Sequence, residues 1–172
     1  FIDKMYENNL LNISYDKLVE LEGATNLKDP RMQDYLDAFS GLYRGVVIKD
    51  LVDGVESDLK DKIQFNSVKE LLIYSYRVAG TVGLMMAKIL NVSDKRALKG
   101  AIDLGIAMQL TNISRDIMED KKNNRFYINE SFEDIETTIK LSEQFYENSF
   151  YSIKEIPLSF RFSILVARRV YR

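Results

Sequence analysis

The sequence predicts an all-α fold, and three observations carry that expectation. Only two prolines and eight glycines interrupt 172 residues, and Leu, Ile, Lys, Glu and Asp abound, which favours helix over a turn-rich β fold. No alternation of apolar and polar residues persists for the length of a strand, whereas apolar positions recur at the helical spacing of three and four. A hydrophobic share of 46% is enough for one domain with a sizeable core, so residues 1–172 read as a single all-α domain.

Taken in order, the first expected helices are short: Phe1 to about Asn9, then Tyr15 to Glu22, stopping at Gly23. Asp29 can cap a better one with Pro30 in its first turn, running to about Arg44. Val47 to Lys60 follows, with Leu51, Val55, Asp58 and Leu59 on neighbouring faces. Ser67 and Glu70 form a capping-box pattern ahead of an apolar run to Leu90. Within that run Gly80 and Gly83 each forfeit up to about 1 kcal/mol of helix propensity relative to alanine. Either close helix packing or a bend that opens a ligand cavity compensates. Ser93 is expected to cap the next helix, whose Ala97, Ala101, Gly105 and Met108 leave room on one face.

Residues 121–130 are polar and break the pattern. Ser131 to Ile139 reads as a capped turn or short helix, and two amphipathic helices, Lys140 to Ile153 and Leu158 to Arg172, finish the chain on either side of Pro157. No repeat, low-complexity segment or inter-domain linker interrupts them. The chain begins at Phe1 and ends at ARRVYR inside an apolar helical pattern with no stop signal. Both ends are therefore expected to be internal to a longer protein.

Cysteine and histidine are both absent, which removes disulfides, Cys/His zinc sites, thiol nucleophiles and histidine bases together. Any metal must be held by oxygen. A net charge of -2 and the lack of a basic, aromatic-interleaved stripe argue against nucleic acid as a partner. No apolar run is long enough to span a bilayer and no signal peptide is visible, so a cytoplasmic location is expected, with peripheral membrane contact left open.

The most informative stretch is GIAMQLTNISRDIMEDKKNNRFY, residues 105–127, where Gln109, Asn112, Asp116 and Asp120 interrupt an apolar helical run at spacings of three, four and four. At about 100° per residue these side chains fall on one narrow stripe. Two carboxylates one turn apart repel, and that cost vanishes when a divalent cation sits between them. Magnesium suits such a sparse face, since it usually takes one or two carboxylates and keeps water or phosphate oxygens as its other ligands. Manganese is the alternative ion. Asp116, Asp120 and Asn112 are the expected metal-binding residues, with Gln109 on the same face. Arg115 and Arg125 are placed for phosphate oxygens, and Lys121 and Lys122 read as solvated. The bland alternative is a solvated acidic face.

Helices rich in Met, Val, Ala and Gly beside such a rim suit an amphiphilic diphosphate, with its charged head on the acidic stripe and its apolar tail between helices. Each buried isoprene unit contributes about 3 to 4 kcal/mol, so pocket depth can select tail length.

QLTNISRDIMED, together with the R-x-Y of Arg125 and Tyr127, resembles the second aspartate-rich signature of the squalene and phytoene synthase family. YSYRVAGTVGLMMAKIL, from Tyr74 to Leu90, looks like that family's other long signature, and LVDGVESDL, from Leu51 to Leu59, fits the helix before it. RVAGTVGLMM and AIDLGIAMQLTNISRDIMED look closer to the bacterial phytoene synthases than to the squalene branch.

The resemblance implies an isoprenoid (terpenoid) synthase fold, with helices around a central apolar cavity. It implies a prenyltransferase of carotenoid biosynthesis, joining two geranylgeranyl diphosphates head to head through a cyclopropyl (prephytoene) diphosphate to phytoene. Magnesium is its implied cofactor. The alternatives are squalene or dehydrosqualene synthesis from farnesyl diphosphate, with NADPH as reductant in the squalene case, and a non-catalytic helical member acting as an assembly or binding factor.

Carried over by position, Asp116 and Asp120 match the family's second metal-binding pair, and Arg115 and Arg125 match cationic positions near diphosphate. Tyr74 matches a tyrosine implicated in the active site, with amphipathic packing as an equal reading. Val78 and Val82 fit cavity walls. Asp58 fits either a carboxylate behind the site or, more readily, a structural hydrogen bond between helices. Three departures stand out. The family's first aspartate-rich motif is not present, because Asp3 and Glu7 in FIDKMYE do not resemble it. Its usual Gly-Arg before the aromatic becomes Asn124-Arg125, and its Leu-Pro afterwards becomes Ile128-Asn129. Residues 1–172 by themselves are expected to lack turnover.

Overall fold

The computed structural model describes residues 46–150 and 152–172. The helices expected up to Arg44, with Asp3, Glu7, Asp29 and Pro30, lie outside the described residues.

Helix α1 spans Val46–Ser57, three residues short of the expected Lys60. Asp58 and Leu59 turn back onto the carbonyls of Val55 and Glu56 at 3.0 and 3.1 Å, tighter bonds that close the last turn. Helix α2, Val68–Ser75, begins where the capping pattern places it. Ser67 is extended and its Oγ accepts the N–H of Glu70 at 3.2 Å. The Glu70 carboxylate reaches back to the N–H of Asn66 at 2.7 Å, one residue before the position a standard box would use.

The apolar run to Leu90 is not a single α-helix. Tyr76–Gly80 form a π turn between α2 and α3 (Thr81–Ile89), in which the N–H of Thr81 bonds to the carbonyl of Tyr76 five residues back. The Thr81 hydroxyl donates to the Arg77 carbonyl at 2.6 Å, which satisfies a carbonyl that the widened turn loosens. Helix α3 ends in a Schellman motif. Asn91 adopts φ 58, and the N–H groups of Asn91 and Val92 bond to Lys88 and Ala87 at 2.9 Å.

Helix α4, Lys95–Arg115, is capped by Asp94 and not by Ser93. Asp94 is the last extended residue, and its Oδ1 accepts from Arg96 and Ala97 at 2.9 Å each. α4 is the centre of the fold, packed along its length by α6 (Phe132–Phe150) and on another side by the π turn and α3. Leu71, Tyr74, Ile106, Leu110 and Ile113 form one buried cluster. Ala87, Val92, Ala97, Ile153 and Ile156 form a second near the other end.

The glycines have both explanations at once. Gly80 completes the π turn, which supplies the bend. A Cβ on Gly83 would collide with the carbonyl of Ala101, and one on Gly105 with the carbonyl of Ala79. The small-residue face of α4 is therefore filled by neighbouring backbone and leaves no empty channel there.

Beyond α4, helix α5 spans Ile117–Lys122 and strand β2 spans Arg125–Phe126. β2 pairs in parallel with β1, Ile63–Gln64, placing Ile63 opposite Arg125 and Gln64 opposite Phe126. The two segments expected at Ser131 to Ile139 and Lys140 to Ile153 are one helix, α6, because no breaker separates them. Ser131 caps it, its Oγ accepting the N–H of Asp134 at 3.1 Å. A 3-10 turn at Ile153–Glu155 and Pro157 lead into α7, Leu158–Tyr171. Apart from the short β1/β2 pair, the regular secondary structure of the described residues is helical, consistent with an all-α isoprenoid-synthase fold.

At an unobstructed helix position, glycine to alanine adds up to about 1 kcal/mol of helix propensity. Gly83→Ala and Gly105→Ala are expected to do the reverse and lower the melting temperature, because overpacking here costs about 1 to 3 kcal/mol. Thermal unfolding of both variants checks the sign.

Candidate active site

The acidic stripe does not lie on one continuous helix. α4 ends at Arg115, and Asp116 leaves helical geometry at φ -100 and ψ 14 before α5 restarts at Ile117. The N–H of Asp116 still closes onto Asn112 at 2.8 Å, and that of Asp120 onto the Asp116 carbonyl at 2.9 Å. The break re-aims the stripe while keeping its members in adjacent turns.

Its members differ in environment. Arg115 grips Asp116 with two parallel bonds, Nε to Oδ1 at 2.7 Å and a terminal nitrogen to Oδ2 at 2.6 Å. That bond holds the Asp116 carboxyl below the usual carboxylate range. Asp120 shifts upward, first because it is partly desolvated and then because Asp116 and Glu119 repel its charge; Arg125 opposes the shift. Gln109 and Asn112 are half-buried on α4, and Asn112 Oδ1 is buried with no hydrogen-bond partner. An orphaned amide oxygen costs free energy unless a ligand meets it. Among the described residues no three metal-ligating side chains gather into one cluster.

A second group stands on the turn after α1, on α2 and on the loop around β2. Tyr74 is 7% exposed, and its hydroxyl donates to Asp58 Oδ2 at 3.1 Å while sharing a hydrogen bond with the Tyr127 hydroxyl at 3.1 Å. The two rings stack at 4.9 Å between centroids, and Phe65 tilts against both at 5.3 and 5.5 Å. Burial, followed by Tyr127 and Asp58, pushes the Tyr74 hydroxyl far above its usual range. Burial also raises the Asp58 carboxyl, against the bond from Tyr74 and the charge of Arg125. Asp58 Oδ1 is buried without a partner.

Arg125 donates to the carbonyls of Lys60 and Asp58 at 2.8 and 2.5 Å, so it braces the turn after α1. Arg125 and Tyr127 are two residues apart, and strand alternation puts them on one side, facing Asp58. The departure at Asn124 is explained by its φ of 58. Asparagine is the residue that best replaces glycine in left-handed geometry, so the loop turns where a glycine would turn.

Val78 packs against the cluster around Tyr74, whereas Val82 is 41% exposed. Lys121 pairs with Glu130 at 2.5 Å, and Lys122 is exposed. The hydrogen-bond reading of Asp58 describes its contact with Tyr74. The partnership of Tyr127 with Tyr74 had no signal in the sequence beyond the R-x-Y spacing.

A squalene/phytoene synthase family model matches residues 44–135, which include α1, the π turn, the acidic stripe and the Tyr74 group. The chain belongs to the squalene/phytoene synthase family. It is 32% identical over 141 residues to the 15-cis-phytoene synthase of Paracoccus sp., covering 72% of this chain and 46% of that protein. It is 33% identical over 178 residues to the phytoene synthase of Pseudescherichia vulneris, covering 90% and 57%. A shorter match, 43% over 86 residues, links it to the chloroplastic phytoene synthase 3 of Zea mays, covering 46% and 20%. The chain thus spans about half the length of the first two relatives. Among the described residues no helix is long and apolar enough to cross a membrane.

Because the folded protein raises the Asp58 carboxyl, its charged form is disfavoured relative to the unfolded chain. That contribution is fully present below the unfolded value, near 3.8, and is lost as pH rises through the raised folded value. Asp58→Asn lacks this loss, so its melting temperature relative to wild type is expected to climb across that window. Melting curves of both proteins from acidic to neutral pH check the trend.

Proposed function

We propose that the complete protein is a prenyltransferase that joins two geranylgeranyl diphosphates head to head into phytoene. The observation that carries this reading is the divided site. An oxygen-only donor set on α4 and α5 stands beside a buried, hydrogen-bonded tyrosine on α2, in the order the family signatures have them. The names of the bacterial and plant relatives support the same product class.

The donor set fits a hard divalent cation. Asp116, Asp120 and the orphaned Asn112 oxygen are all oxygen ligands, and too few to complete magnesium's shell without water or phosphate. Bound there, magnesium supplies positive charge to the departing diphosphate. Arg115 is 61% exposed, so exchanging Asp116 for a phosphate oxygen costs little. Its fork then faces the leaving group. Gln109 offers its amide to the same oxygens. Arg125 holds the loop that carries Tyr127 and also lends its charge to this rim.

Ionisation of one substrate leaves an allylic cation. The C2–C3 double bond of the second attacks its C1, producing a tertiary cation at C3, and loss of a proton from C1 closes the cyclopropyl diphosphate. Val78 contributes apolar wall beside Tyr74 and helps to exclude water from these cations. Val82, on α3 and 41% exposed, is a candidate contact for the substrate tail.

The complete protein incubated with magnesium and geranylgeranyl diphosphate should yield a C40 hydrocarbon, and replacement of both Asp116 and Asp120 by alanine should lower turnover at least about 10²-fold. A C30 product made from farnesyl diphosphate would favour the squalene branch. No product from either substrate would favour a binding or assembly role.

A further inference from the structure

Proton loss from C1 needs an acceptor, and Tyr74 alone is a poor one, because its hydroxyl already carries a proton. That proton has a defined destination. It points at Asp58 Oδ2, 3.1 Å away, in a half-buried position. Asp58 Oδ1, on the same carboxylate, is buried and meets no donor at hydrogen-bond distance, while the Tyr127 hydroxyl also favours the charged carboxylate. The Tyr127 hydroxyl lies 3.1 Å from the Tyr74 oxygen and the two rings are stacked. A tyrosine that donates to Asp58 has two lone pairs left. One faces Tyr127, and the other has no partner among the hydrogen bonds of the Tyr74 hydroxyl.

We propose that Asp58 is the terminal proton acceptor of the cyclopropane-forming step, reached through Tyr74, and that Tyr127 holds the Tyr74 oxygen in line between substrate and carboxylate. This rests on the prenyl-transfer reading above. The balance is simple: the C1–H bond breaks, and its electrons form the C1–C3 bond and neutralise the C3 cation. The proton adds to Tyr74 Oη, and the hydroxyl proton of Tyr74 passes to Asp58 Oδ2. No oxidant or further reactant is involved. Asp58 and Tyr127 are positioning residues, acting through Tyr74.

The surroundings suit a carboxylate that is charged at rest and neutral after one turnover step. Arg125 donates to the Asp58 backbone carbonyl at 2.5 Å and its charge favours the ionised carboxylate. Burial favours the protonated form, and Asp120 on α5 adds repulsion between the two carboxylates. Tyr74 and Tyr127 are the other titratable groups facing it.

The test is steady-state turnover of the complete protein with geranylgeranyl diphosphate carrying hydrogen or deuterium at C1. Asp58→Asn keeps an acceptor for Tyr74 but cannot take the proton. It should lower kcat about 10²-fold or more with KM near wild type and a melting temperature no lower than wild type, and raise the primary deuterium isotope effect as proton removal becomes limiting. Asp58→Glu should recover part of kcat, and Tyr127→Phe should lose less than Asp58→Asn. Wild-type-like kcat in Asp58→Asn overturns the proposal, as does a lowered kcat with an unchanged isotope effect, which is the mark of a structural role. If Asp58→Asn does not fold, Asp58→Ser leaves Tyr74 a hydroxyl acceptor without a carboxylate and is judged by the same isotope readout. A wild-type protein that makes no product refutes the prenyl-transfer reading itself, a separate outcome from an active wild type with an indifferent Asp58.

Discussion

The backbone of the π turn and α3 lies directly against the backbone of α4, and the placement of the site residues follows from that approach. At Gly83 and Gly105 no side chain could intervene between the helices. Backbones this close leave little freedom to slide, since any shift meets a carbonyl. Tyr74, on the turn just before the π segment, is thereby set against Ile106, Leu110 and Ile113, the α4 residues that share turns with Gln109 and Asn112. Close packing and the bend are two consequences of one arrangement.

Two electrostatic situations sit on either side of that contact. At the junction of α4 and α5 one carboxylate, Asp116, is neutralised by an adjacent guanidinium, while the other, Asp120, is raised by partial burial and then by its acidic neighbours. Beside the core, Asp58 is a partly desolvated carboxylate compensated by a tyrosine hydroxyl and by Arg125. A buried carboxylate with an unpartnered oxygen is costly. Asn112 Oδ1 on α4 is likewise buried without a partner.

The loop between α5 and α6 links the two. Asn124 turns the chain in left-handed geometry, β2 pairs it to β1, and Arg125 ties it to the carbonyls after α1. A two-residue strand pair contributes little by itself. Its effect is positional, because it fixes where Tyr127 meets Tyr74.

Local chemistry is legible in the amino-acid sequence itself. The helical content, the Ser67 cap, the turn at Pro157, the oxygen-only donor set and the family signatures all depend on residues within one or two helical turns of each other, where side-chain direction follows from backbone period. The same reasoning misplaces the cap at Ser93, runs the acidic stripe through a helix that breaks at Asp116, and reads small residues on α4 as open space. In each case a competing local or tertiary contact decides: an extended Asp94, a guanidinium folded onto Asp116, the backbone of a neighbouring helix. The joining of Tyr74 to Asp58 and to Tyr127, 16 and 53 residues away, is decided by tertiary structure alone. A hydrogen bond of about 3 Å between such distant groups depends on the packing of every element between them, and no spacing in the sequence encodes that sum.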